Sequence, residues 1–322
     1  MNIFQKLEKF IKDVFKTTVE IFFEALKMSP NAQGYVSGSI TELLLKQHLE
    51  SLGFEVKRIR EKWEGKKHPN HHGDFYFRKP AKKWFVLESK GVKSNSEKWH
   101  KLYNIEKLKK FLYDHSDKIS WINKKKEIEP QINEWLQKNL PLFLDKYSST
   151  LYDYEEIQKY LSNPPSKETE KSTAIKKLSN FNREQIASMI EERLNYLFTK
   201  LKVLETHFVS GTSGASDRTQ ATPRKDEFNL MSIDIFLRFS EHKFLFANPK
   251  HLDSSGSDAA HLQQNYIMGF VFTAPDGSLK LDLSDEWSES FEEAFKTLNN
   301  KDSVNEEDMQ EDFRNLIVDE KQ

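Results

Sequence analysis

Residues 71–90, His-His-Gly-Asp-Phe-Tyr-Phe-Arg-Lys-Pro-Ala-Lys-Lys-Trp-Phe-Val-Leu-Glu-Ser-Lys, constrain the fold of this chain more than any other stretch. Asp74 opens the run Phe75-Tyr76-Phe77, a Lys/Pro turn follows, and Trp84-Phe85-Val86-Leu87 delivers Glu88, Ser89 and Lys90. The pattern predicts a β-hairpin carrying two carboxylates and one ammonium. Glu88 and Lys90 are two positions apart, so the period of a strand turns both to one face. Two acids a strand-width apart suit a hard divalent cation such as Mg2+, which takes one or two carboxylates and leaves its other positions to water and phosphate. An ammonium beside them can orient a water and stabilise charge on a phosphate under attack.

The flanks fit the same picture. A helical pattern over residues 36–52 contains Ser39-Ile40-Thr41-Glu42-Leu43-Leu44-Leu45-Lys46-Gln47-His48-Leu49, and Gly53-Phe54-Glu55-Val56 turns into a strand over 54–59. Helix, strand and hairpin together resemble the PD-(D/E)XK nuclease superfamily, to which most type II restriction endonucleases belong. In that family an acid begins one strand, a D/E-x-K triplet ends the next, and a glutamate on a preceding helix often completes the site. The matches are Asp74, Glu88 with Lys90, and Glu42; Gly73 stands where the family has proline.

The resemblance implies an α/β (α+β) fold with a mixed central sheet flanked by helices, a helical insertion and a second β-rich region. It further implies a Mg2+-dependent, sequence-specific endonuclease acting on double-stranded DNA as a homodimer. Asp74, Glu88 and the carbonyl of Ser89 would hold the metal, with Lys90 and Glu42 completing the catalytic set. Two alternatives stay open: a structure-specific or modification-dependent nuclease, and a non-catalytic DNA-binding protein on a nuclease-like scaffold.

Composition narrows the classes. The formal net charge is -1 and cysteine is absent, so a globally basic nucleic-acid coat, disulfides, thiolate zinc sites and a cysteine nucleophile are excluded. No apolar run is long enough to span a bilayer, and lysines and glutamates interrupt every apolar cluster of the first 28 residues, so a cytoplasmic protein is expected. Lys66-Lys67, Lys82-Lys83 and Lys124-Lys125-Lys126 make the centre basic, whereas the last thirty residues are rich in Asp and Glu. That asymmetry favours a polyanion at the centre.

Along the chain, residues 1–30 read as an amphipathic helix, through Phe4, Leu7, Ile11, Phe15, Phe22 and Leu26, that packs on the core or forms a dimer seam. Residues 31–115 would form the nuclease core, closed by a helix over 96–115. A helical bridging region at 116–202 would end in a long helix, 180–201. Residues 203–290 read as a β-rich recognition region and 291–322 as an acidic tail after a short helix. His68, His71 and His72 precede Asp74; a zinc site is disfavoured, since adjacent histidines rarely point at one ion, and His71 and His72 become DNA-contact candidates. Arg218, Gln220, Arg224, Lys225, Gln263, Gln264 and Asn265 have the side chains that fork to guanine or adenine edges. Finally, Asp234 precedes Asn248-Pro249-Lys250 by the same spacing as Asp74 precedes Glu88-Ser89-Lys90, which raises a degenerate second site using Asp234 and Lys250.

Overall fold

The N-terminal helices are set by their caps. Helix α1 (Ile3–Phe15) begins with a capping box in which Asn2 and Gln5 exchange side-chain to backbone hydrogen bonds of 2.9 and 3.0 Å. It ends at Lys16 in the left-handed region (φ 54°), and Thr18 caps α2 (Val19–Met28). The single helix expected over this region is therefore two. Helix α3 (Pro30–Ser51) starts earlier than expected, because Ser29 caps it and Pro30 takes the first helical position, where no N–H is needed. Of the apolar stripe on α1 and α2 only Ile11 is buried; Ile3, Phe4, Phe15, Ile21 and Phe23 are exposed, a correction to the expected packing on the core.

The computed structural model describes residues 2–60, 71–93, 105–139, 188, 192, 195–197, 199–208, 222–239, 241–255, 258–274 and 276–312. The expectations at His68, Lys66-Lys67, Arg218 and Gln220, the beginning of the 96–115 helix, most of the 180–201 helix and residues 313–322 lie outside them. The strands are β1 (Glu55–Arg58), β2 (Phe75–Arg78), β3 (Phe85–Gly91), β4 (Leu201–His207), β5 (Leu230–Asp234), β6 (Phe244–Ala247), β7 (Asn265–Thr273) and β8 (Leu279–Leu283). One sheet has the order β1-β2-β3-β5-β6 and the other β4-β7-β8. Only the β3–β5 pairing is parallel, so the larger sheet is mixed and the smaller antiparallel.

Strand alternation sorts the side chains into layers. Phe75, Phe77, Phe85, Leu87, Leu230 and Phe246 face α3, through Leu45 and Leu49, and α6 (Phe291–Lys296; α4 and α5 follow below), through Phe291 and Ala294. Tyr76, Trp84, Val86, Met231, Ile233 and Leu245 face the second sheet, meeting Leu204, Tyr266, Met268 and Val271. The far side of that sheet packs against α4 (Ile105–Asp114) and α5 (Ile128–Asn139) through Leu108, Leu112, Ile132 and Leu136. The result is four layers, helices on sheet on sheet on helices, which buries both faces of each sheet.

Three segment expectations change. The sheet is not completed within residues 31–115, since β5 and β6 from the second half add to it. The strand expected over 229–239 stops at Asp234, whose Oδ1 accepts the Phe236 N–H at 2.9 Å and turns the chain into one helical turn, Phe236–Phe239. Residues 291–312 are no detached tail: Val304 bridges Trp84 and Glu311 bridges Ile59. Among the described residues, no helix is long and apolar enough to cross a membrane.

Candidate active site

Antiparallel pairing of β2 with β3 sets Phe75 opposite Leu87, which brings Asp74 level with Glu88. The Asp74 backbone is tied on both sides: its N–H donates to Leu87 O and its carbonyl accepts the Ile59 N–H, each at 2.9 Å. Its carboxylate Oδ2 accepts the Ser89 N–H at 2.7 Å. The side chain is thus held by the strand that carries Glu88 and Lys90. Gly73 is needed for this close approach, because a Cβ there would stand 2.5 Å from Val86 Cγ1 and 2.9 Å from the Leu87 carbonyl oxygen. Gly73→Ala is expected to destabilise the protein by about 1–3 kcal/mol, the range for overpacking, in a urea titration; an unchanged midpoint would show that β3 yields freely.

Glu88 and Lys90 form an ion pair, with side chains 14% and 31% exposed. Burial pushes the Glu88 carboxyl up, the Asp74 charge adds to it, and Lys90 opposes both, leaving Glu88 at about 7 rather than 4.5; Glu227 raises it a little further. Burial works against the Lys90 ammonium too, but Glu88, Asp74 and Glu42 outweigh it and hold its pKa above the ordinary lysine value. Lys90 is therefore a fixed cation and no general base at neutral pH.

A raised carboxyl pKa means that the native state binds the proton more tightly than the unfolded chain. The Glu88 contribution to stability is therefore largest below pH 4.5, falls as pH rises from 4.5 to about 7, and is level above that. At about 1.4 kcal/mol per pH unit the loss is on the order of 3 kcal/mol. Urea titrations should show wild type losing about that much stability relative to Glu88→Gln, which mimics the protonated acid, as pH rises through this window, and parallel curves would refute the assignment.

Glu42 is half-buried on α3, and its Oε2 accepts from Arg58 at 2.9 Å. By alternation Asp74, Glu88 and Lys90 share the face of Tyr76 and Val86, whereas α3 covers the opposite face, with Leu87 and Ser89. The two sides meet at the carboxyl end of β3, where a cavity of about 320 Å³ is lined by Thr41, Glu42, Ser89, Lys90, Gly91 and Asp234 among others. Asp74 and Glu88 do not line it. Lys90 connects the two groups: it pairs with Glu88 and reaches the cavity that holds Glu42.

The remaining expectations divide. His71 is turned inward: Tyr76 Oη lies 2.9 Å from its Nε2 and accepts the Gln310 N–H at 3.1 Å. Burial, then His72, lower the His71 pKa, with Asp308 opposing. The His72 side chain is exposed. Arg224 forks onto Asp226 through two bonds of 2.9 Å, and Lys225 donates to the Leu252 carbonyl. Gln263, Gln264 and Asn265 are exposed beside the start of β7, and Asn265 Oδ1 lies within 3.2 Å of Lys93 Nζ and 2.9 Å of His207 Nδ1.

The Asp234 spacing does not make a second site. Asp234 pairs with Phe244, and Asn248 follows Ala247, which pairs with Met231, so the two ends of the spacing lie roughly 13 Å apart along the strands. Asn248 caps the turn to Lys250, and Lys250 pairs with Asp302 at 2.6 Å. Asp74 begins its strand while Asp234 ends its own, and equal spacing cannot compensate for opposite placement. Glu227, which faces Glu88 electrostatically, was not singled out by the sequence; a loop acid has no periodicity to mark it.

Comparison with protein-family models, with curated protein sequences and with solved structures finds no match to this chain.

Proposed function

We propose that this chain is a Mg2+-dependent endonuclease of double-stranded DNA, sequence-specific in the manner of the type II restriction enzymes it resembles. The observation that carries the reading is the register that sets Asp74 level with Glu88 while Lys90 follows on the same face. Among the described residues no cluster of three or more His, Asp or Glu side chains is arranged to hold a metal. Two carboxylates suffice for Mg2+, and this pair fits it: Asp74 adds to the burial penalty that raises Glu88, and a divalent cation would relieve both. Asp74, Glu88 and the Ser89 carbonyl are the residues that would hold it. When bound, Mg2+ supplies Lewis-acid polarisation of the scissile phosphate and a more acidic water.

The chain's own groups do the rest. The Ser89 N–H fixes the Asp74 carboxylate before substrate arrives, so that little reorganisation remains for the reaction. Lys90, kept protonated by its three acidic neighbours, orients the attacking water and stabilises negative charge on the phosphate. Glu42 faces Lys90 from the cavity side and adds to the field that holds the ammonium charged. A homodimer belongs to the same reading, since cutting two strands takes two sites and the exposed Phe4, Phe15, Ile21 and Phe23 form an apolar surface on α1 and α2 that a second copy could cover.

The test is incubation of purified protein with plasmid and phage DNA, with Mg2+ or with EDTA. Discrete metal-dependent fragments are expected. Cleavage confined to methylated or branched DNA would favour the structure-specific or modification-dependent alternative. A mobility shift with no new ends under any condition would leave a DNA-binding protein.

A further inference from the structure

Helix α3 becomes anchored at Thr41. Its buried positions are Thr41, Leu45 and Leu49, one every fourth residue, and residues 33–40 before them are exposed. Gly34 and Gly38 have nothing within 4 Å of where a Cβ would stand, so packing does not hold those turns. Leu45 and Leu49 meet the apolar face of the sheet, but Thr41 meets a carboxylate: its hydroxyl donates to Asp234 Oδ2 at 2.7 Å. Asp234 is 4% exposed, and its other partners are His242 Nδ1 at 2.6 Å on Oδ2 and the Phe236 N–H on Oδ1. The His242 ring stacks on Phe236, with centroids 4.6 Å apart and planes within 12°. A buried carboxylate demands such donors, and one of them, Thr41, comes from far away in the chain.

We propose that Thr41, Asp234 and His242 form a clamp that holds α3 to the ends of β3 and β5, and that Glu42 keeps its place beside Lys90 through this clamp. Glu42 follows Thr41 in sequence, and both line the cavity with Asp234 and Lys90. Glu42 also pairs with Arg58, whose side chain is 43% exposed, and an ion pair of that kind fixes position poorly. Thr41, Asp234 and His242 are positioning residues; none is assigned to metal or phosphate. The catalytic consequence rests on the nuclease reading, whereas the clamp itself does not.

Thr41→Val keeps shape and removes the donor, and Thr41→Ser keeps the donor. In metal-free protein, amide exchange over residues 41–45 is expected to quicken about tenfold in Thr41→Val and to stay at the wild-type rate in Thr41→Ser. Under Mg2+, Thr41→Val should lower kcat roughly 10- to 100-fold, the cost of a small misplacement, with KM unchanged, and Thr41→Ser should restore it. Nitrogen-15 NMR should find His242 protonated at Nδ1 in wild type and lose that preference in Asp234→Asn. Wild-type exchange in Thr41→Val would overturn the clamp, whether or not the protein cuts DNA. Faster exchange with unchanged kcat, or no rescue by serine, would overturn the positioning role. If wild type cuts no DNA, the nuclease reading fails alone and the exchange and NMR results decide the clamp.

Discussion

Replacing Lys90 with alanine is expected to slow Mg2+-dependent cleavage of duplex DNA by roughly 100- to 1,000-fold, the usual cost of removing one preorganised electrostatic group. The expectation follows from the charge balance of the site. Lys90 offsets Glu88 and Asp74 and is itself held protonated by them. Its loss would remove the cation proposed to face the phosphate, and would leave Asp74 and Glu227 to push the Glu88 pKa still higher. Lys90→Arg keeps the charge but substitutes a planar fork for a compact ammonium, so it should recover little of the rate. Single-turnover rates on a defined duplex, with binding measured separately in EDTA, would separate chemistry from affinity. Cleavage by Lys90→Ala within threefold of wild type would remove Lys90 from the mechanism.

Phe77→Ala is expected to cost about 3–5 kcal/mol of stability, the range for truncating a large buried aromatic side chain. Phe77 is fully buried on β2, with ring centroids 5.3 Å from Phe291, 6.0 Å from Phe85 and 6.4 Å from Phe54. These neighbours come from the strand beside it, from the turn before β1 and from α6, so no single element can move in to fill the space. Phe77→Leu, which leaves a smaller void, should cost clearly less. Urea titration is the measurement, and an unchanged slope with a lowered midpoint would assign the loss to the folded state. A loss below about 1 kcal/mol would mean that the aromatic cluster closes over the cavity. Because β2 follows directly from Asp74, the variant should also weaken metal-dependent activity in proportion to its unfolded fraction.

The hairpin was legible because its information is local. Alternation in Phe75-Tyr76-Phe77 and Trp84-Phe85-Val86-Leu87 marks two strands, and a short turn allows only nearby registers, so Asp74, Glu88 and Lys90 could be brought together without knowledge of the rest. The helix bearing Glu42 and the later strands were legible for the same reason. The break between α1 and α2 was not, since the apolar pattern runs across Lys16 and Thr18 and only backbone geometry shows the left-handed residue there. The Asp234 spacing misled because sequence distance says nothing about which end of a strand a residue occupies.

The sequence by itself determined most of the strands, the helix that carries Glu42, and that two acids and a lysine converge on one hairpin, since these follow from short-range periodicity and charge. Tertiary structure alone decided that β5 and β6 complete the sheet, that residues 304–311 bridge back to β1 and the start of β3, that His71 serves Tyr76, and that Asp234 holds α3. Each of those pairings joins residues far apart in the chain, where the burial of apolar faces and the demand of buried polar groups for partners choose among many alternatives that the order of residues leaves equal.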